Sequence, residues 1–339
     1  MSKADFTKWQ DTQQTAAAAL VVPYLSLTEE DTPIDFLFQI AGKGMIAKGN
    51  ISCIKGREKT GKSAAGLCLI AAALSGKFGT VGACHEALKV LWIDTEQDQN
   101  TLRQKAKAVL QMADLQAMPE GLHIVPLLPY TFEERAALLQ LAVEECSPDL
   151  LFLDGVVDLC SNFMEGEASQ KAVAILQTIC AKFGCAVITI IHTNKKDDEA
   201  RGHLGTFMQQ KSGEVYTVER YGTNATMQQA FSRFAPAPPF SFSFLDNFML
   251  APILPADIAE QRKVELTGLF QVLFAGNSLT YTQLLKAFKT VHQEPTSERA
   301  INDLIKEAVA YDVLYKEKKG RCSFYSFLFP QTEDDEEFL

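Results

Sequence analysis

Eight consecutive residues limit what this chain can fold into more than any other feature. Gly56-Arg57-Glu58-Lys59-Thr60-Gly61-Lys62-Ser63 fits G-x4-G-K-[ST] at every fixed position, between an apolar run at 51–54 and a helical stretch at 63–74. Such a loop works at a strand-to-helix junction. Its glycines let the backbone curl so that N–H groups face phosphate, and the following helix turns its positive end to the same charge. The sequence therefore predicts an α/β fold carrying a nucleotide site, with ATP and Mg2+ as cofactors. Gly56, Arg57, Glu58, Lys59, Thr60 and Gly61 wrap the phosphates, Lys62 reaches the β and γ phosphates, and the Ser63 hydroxyl ligates Mg2+.

The rest of the chain alternates in the same sense. Short apolar runs at 90–93, 123–125, 150–153 and 186–191 read as strands, and 100–112, 132–145 and 167–183 read as helices. Strands that are apolar on successive residues and separated by helices belong to a mostly parallel sheet covered on both faces. The period-two run Phe240-Ser-Phe-Ser-Phe244 predicts an antiparallel strand at the far end of that sheet. Pro252 and Pro255 mark a linker. The expected domains are an arm over 1–34 with one helix, an ATPase core over 35–255, a small domain over 262–330 and an acidic tail over 331–339. In the small domain, helices at 263–275, 282–290 and 297–310 precede a hairpin, the winged-helix pattern.

Two acids complete the expected chemistry. Asp154 ends the run Leu150-Leu-Phe-Leu-Asp154, where a carboxylate holds the water shell of Mg2+. Glu96 follows the strand ending Ile93-Asp94, where a carboxylate orients and deprotonates the attacking water; Asp94 is its rival.

A Glu two residues past an Asp, on the strand after the phosphate loop, resembles the RecA-type ATPases. Ile190-Ile191-His192-Thr193-Asn194-Lys195 resembles the sensor strand of that class. Ala200-Arg201-Gly202-His203-Leu204-Gly205, followed by Lys211, resembles the segment after that strand in the RepA-like hexameric helicases of plasmids and mobile elements. The resemblance covers roughly 35–250. It implies a RecA-like core, assembly into a hexameric ring, and a trans-acting arginine, for which Arg233 is the candidate and Arg201 and Lys211 the competitors. It also implies a polar sensor, His192 or Asn194, with His192 favoured. Lys195, Lys196 and Arg201 would then line a channel for single-stranded DNA, although Asp197, Asp198 and Glu199 beside them leave open a merely solvated charge run.

Charge and composition narrow the function classes. The net charge is −10, so nucleic-acid binding has to be local. Residues 262–330 carry ten Lys or Arg against seven Asp or Glu, and Lys316, Lys318, Lys319 and Arg321 cluster on the expected wing. The helix at 297–310 mixes Arg299 and Lys306 with Glu298, Asp303 and Glu307, so duplex DNA and a protein partner both stay open for this domain. The tail Glu333–Leu339 ends in Phe338-Leu339, as a docking tip or as a solubilising end. Eight cysteines form no C-x-x-C pair; most sit in apolar runs and read as structural thiols in a reducing, cytoplasmic setting. No run is long enough to span a membrane. The expected activity is Mg2+-dependent ATP hydrolysis by a ring-forming DNA helicase or translocase. The alternatives are a DNA-binding regulatory or recombination-mediator ATPase that unwinds nothing, and a signalling or defence ATPase.

Overall fold

A computed structural model describes residues 32–193, 200–253, 255–274, 277–292, 297–320 and 322–328. The expected arm (apart from 32–34), Asn194, Lys195, Lys196, Arg321 and the acidic tail lie outside the described residues. The described residues from Phe36 onward form one compact unit.

The elements of the larger part are β1 Phe36–Ile40, β2 Lys43–Ala47, β3 Ile51–Gly56, α1 Lys62–Ser75, β4 Lys77–Phe78, β5 Val81–Ala83, β6 Val90–Asp94 and α2 Gln99–Met112. They continue with β7 Leu122–Pro126, α3 Phe132–Cys146, β8 Leu150–Asp154, α4 Gly166–Phe183, β9 Ala186–His192, α5 Gly202–Lys211, β10 Glu214–Tyr221, β11 Asn224–Ser232, β12 Phe240–Phe244 and β13 Leu250–Ile253. Nine strands form one sheet in the order β13-β12-β11-β10-β3-β9-β8-β6-β7. The six from β10 to β7 are parallel, and β11, β12 and β13 extend the sheet antiparallel.

Side-chain alternation shows why both faces are covered. Val90, Trp92, Leu150 and Phe152 point into a core shared with α1 and α2. Leu91, Ile93, Leu151 and Leu153 point into a second core shared with α3, α4 and α5. The α/β expectation, a mostly parallel sheet between two layers of helices, therefore holds. Helix α1 lies close on the sheet because Gly66 has no side chain; a Cβ there would come within 2.2 Å of the Phe152 ring.

Several elements went unforeseen. A four-stranded antiparallel sheet, β2-β1-β5-β4, precedes and brackets α1. Helix α5 follows β9, and β10 and β11 form a long hairpin with a bulge between Val215 and Tyr216. The strand at 240–244 is antiparallel as expected, but β13 lies outside it. Pro252 is thus no linker residue. It sits in the edge strand, where a missing N–H is tolerated. Pro255 opens the next helix, a position whose N–H has no helical partner to lose.

That helix is α6 Pro255–Gln271, followed by β14 Leu279–Thr280, α7 Tyr281–His292, α8 Glu298–Ala310, β15 Leu314–Lys319 and β16 Cys322–Phe327. The expected order of three helices and a hairpin is present, with β14 adding a third strand in the order β14-β16-β15. Leu266, Phe270, Leu284, Phe288, Ile301, Ile305 and Tyr325 form a third, separate core. Ser297 caps α8 by accepting from the Ala300 N–H at 3.2 Å.

Candidate active site

The phosphate loop leaves β3 and enters α1 through Lys59 at φ 63° and Gly61 at φ 99°, both left-handed. Gly61 tolerates this without strain, and no side chain caps the helix that it starts, so the first N–H groups of α1 stay open to a ligand. The loop is closed on itself: the Thr60 hydroxyl donates to the Arg57 carbonyl at 3.0 Å, and the Lys62 ammonium donates to the same oxygen at 2.6 Å. Lys62 is buried. Burial lowers its pKa to about 8, against the upward pull of Asp154, Glu96 and Glu58.

Parallel pairing brings the acids together. The register of β6 with β8 sets Asp94 beside Asp154 at the strand ends. Burial raises the Asp154 carboxyl to about 7, helped by Asp94 and Glu96, while a hydrogen bond from the Ser63 hydroxyl and the Lys105 charge pull it down. Asp94 Oδ1 accepts from the backbone N–H groups of Glu96 at 3.0 Å and Gln97 at 2.8 Å. That bond fixes the turn carrying Glu96, whose side chain opens to solvent at the mouth of the site. Desolvation of its inner side, then Asp158 and Asp94, push the Glu96 carboxyl above the usual range, with Lys105 and Lys62 opposing. Thr95 donates to Asp158 at 2.7 Å. Its hydroxyl fills the space beside Gly155, where a Cβ would approach to 2.0 Å.

The arrangement suits a hard cation bound chiefly through its substrate. Ser63 and Asp154 are oxygen donors already paired, and their neighbourhood holds more carboxylates than lysines. Among the described residues no group of three or more His, Cys, Asp or Glu could hold a metal alone. Mg2+, which keeps several waters and leans on phosphate oxygens, fits this donor set: Ser63 would ligate it directly and Asp154 through water.

On the other side of the loop lies a cleft of about 530 Å³ lined by Gly56, Arg57, Thr60, Thr193, Thr217 and Gln228, among others. The end of β9 borders it. His192 pairs in register with Gly56, and the Thr193 N–H donates to the Gly56 carbonyl at 3.1 Å. His192 Nδ1 is buried and has no hydrogen-bond partner among the described residues. Burial and the nearby Lys62 charge hold the His192 pKa below its ordinary value. His192, the residue favoured from the sequence as a sensor, thus lies beside the lysine. Arg201 follows on the same side, exposed, with its guanidinium 5.2 Å from the Phe163 ring centroid.

Arg233 sits elsewhere. Because β11 runs antiparallel, Ser232 is level with Glu214 and, through it, with Ser52 at the start of β3. Arg233 therefore lies at the end of the sheet away from its own phosphate loop, donating to the Gln210 carbonyl at 3.4 Å. Besides Arg57 within the loop, the arginine near it is Arg220, which sequence reasoning missed. It donates to the Lys59 carbonyl at 3.5 Å, lies 4.2 Å from the Phe244 ring centroid, and is the penultimate residue of β10, near the tip of a hairpin that no local motif announces. Lys318 and Lys319 are exposed on β15, in the separate three-stranded sheet, with Lys319 paired to Glu317 at 2.9 Å.

Comparison with known proteins adds one match. Residues 38–198 fit the family model described as an AAA domain, a little under half of the chain, which supports a nucleotide-hydrolysing P-loop domain over that segment. The match takes in the loop, Glu96, Asp154 and His192, and stops before Arg201. No curated protein matches the chain.

Proposed function

We propose that this P-loop ATPase hydrolyses ATP with Mg2+ and that copies of it assemble into a ring that moves on single-stranded DNA, as a helicase or translocase. The observation that carries the hydrolytic reading is the Ser63–Asp154 pair, set between buried Lys62 and Glu96. Bound Mg2+ would supply charge for the transferring phosphoryl group. The rest falls to the chain: Lys62 and the open N–H groups of α1 hold the phosphates, and Glu96 orients a water and takes its proton. Support for coupling to DNA comes from the sensor strand. The Thr193 amide is bonded to the first glycine of the loop, and the sequence runs on directly into Asn194, Lys195 and Lys196. A shift of the loop on hydrolysis would pull on that segment. His192 is the sensor in this reading and Arg233 the arginine offered to a neighbouring subunit.

A second reading is favoured by the charges on the C-terminal helices. Read as a winged helix, this domain presents a third helix whose Lys306 is paired with Asp303 at 3.2 Å and whose Glu298 is paired with Lys289 at 2.8 Å. Such self-satisfied charge suits a protein partner better than phosphate. ATP turnover with and without single-stranded DNA, run beside a forked-duplex unwinding assay, separates the readings. The helicase reading requires stimulation and ATP-dependent unwinding; stimulation alone leaves a non-unwinding DNA ATPase, and indifference to DNA leaves the protein-recruiting ATPase.

A further inference from the structure

Helix α2 buries four side chains against the sheet, Leu102, Lys105, Ala108 and Val109, and one of them is charged. The helical period would place an apolar residue at 105. Lys105 instead carries its ammonium to 4.0 Å from Asp94 Oδ2, and its side chain is only 10% exposed. Asp94 is fully buried, and its Oδ2 has no hydrogen-bond partner among the described residues. A buried pair of this kind seldom stabilises a fold more than apolar residues of the same size would. Its place in the site suggests another use. The two oxygens of Asp94 divide their work: Oδ1 holds the amides of Glu96 and Gln97, and Oδ2 faces Lys105. Without the lysine, a buried carboxylate would lie next to Asp154 with one oxygen facing no charge. The turn that carries Glu96 would then lose its fixed anchor.

We propose that Lys105 is a positioning residue for hydrolysis, holding through Asp94 the backbone that aims Glu96 at the attacking water. The inference rests on Glu96 as the water-orienting base. Phosphate contacts do not pass through Lys105, so its effect should fall on the chemical step and spare nucleotide binding.

The test is steady-state and single-turnover ATP hydrolysis by the full chain with Mg2+, alongside ADP binding by calorimetry. Lys105→Met should lower kcat by about tenfold or more while ADP affinity stays within about twofold, and Lys105→Arg should recover most of the loss. In a Glu96→Gln background, Lys105→Met should cost nothing further, because the group it positions is already gone. Equal losses in both backgrounds, or an unchanged kcat in folded Lys105→Met protein, would overturn the proposal. If Lys105→Met does not fold, Asp94→Asn must give the same split between kcat and ADP affinity, or the proposal fails. Wild type that binds no ATP would overturn the reading of the site itself and this inference with it. Wild type that turns over at the same rate as Lys105→Met would overturn this inference alone.

Discussion

Lys62 shows how a single residue ties the free site to its ligand. Its ammonium is buried and its pKa lowered to about 8, burial outweighing the acids around it. In the free protein the charged form is therefore disfavoured, and above pH 8 most of the population is neutral. Phosphate favours the charged form, so binding above that pH requires taking up a proton, and affinity falls as pH rises. ADP or ATP affinity should be level from pH 6.5 to 7.5 and drop progressively above about pH 8, up to tenfold per unit. In Lys62→Arg protein, where the guanidinium does not titrate, any remaining affinity should be flat over the same range. Calorimetry across a pH series reads both. Lys62 was legible in the sequence because its motif is local, as were Asp154 and Glu96 at the ends of recognisable strands. Lys105 and Arg220 were not. Each owes its place to a contact across the fold, Lys105 to an acid eleven positions earlier on another element and Arg220 to a loop reached only once β10 lies beside β3.

Among the elements, α1 joins the motif to the core. Its residues from Ala65 to Ala73 are buried almost without a break, and Gly66 lets the helix rest on Phe152. Gly66→Ala would drive a methyl into that ring, and it should destabilise the protein by about 2 kcal/mol in a denaturant titration. Gly268, in α6, is a matched control. A Cβ there would meet no atom within 4 Å, and the position faces solvent, so Gly268→Ala should stabilise by about 0.5–1 kcal/mol. The strands and helices from β3 to β9 that build the large sheet and its flanking layers were legible to within a residue or two, since each is a continuous apolar run or an amphipathic period, whereas α5 and β10 were not. The small sheet before and after α1 was not, because β4 and β5 span two and three residues, too few for any period to show. The hairpin of β10 and β11 escaped for another reason. Past its first residues it alternates Thr, Glu, Gln and Arg with a few apolar positions, and it is half exposed, so its pattern is that of a polar loop.

For the whole molecule, the ring reading makes a demand that one chain cannot meet alone: the active site must be shared. Arg233 is exposed and remote from its own loop, as a residue offered to a neighbour would be. Arg233→Ala and Lys62→Ala proteins, each without turnover, should regain part of the wild-type rate when mixed, because some mixed interfaces then pair an intact loop with an intact arginine. A fully active monomer in the presence of ATP, shown by light scattering, would contradict this. How copies can meet is also limited by the ends of the large sheet. At one end Pro252 interrupts the four-residue strand β13, and the β4–β5 turn covers it, Gly79 lying so close that a Cβ would meet the proline at 2.5 Å. At the other end β7 is five residues long and finishes in Pro126. Neither margin offers an unbroken row of N–H donors, so one copy's sheet is a poor template for the next. The ring proposed above would bring many copies side by side, where runaway fibre growth is a hazard, and Pro252, which in the sequence marks a linker, would be a barrier against it.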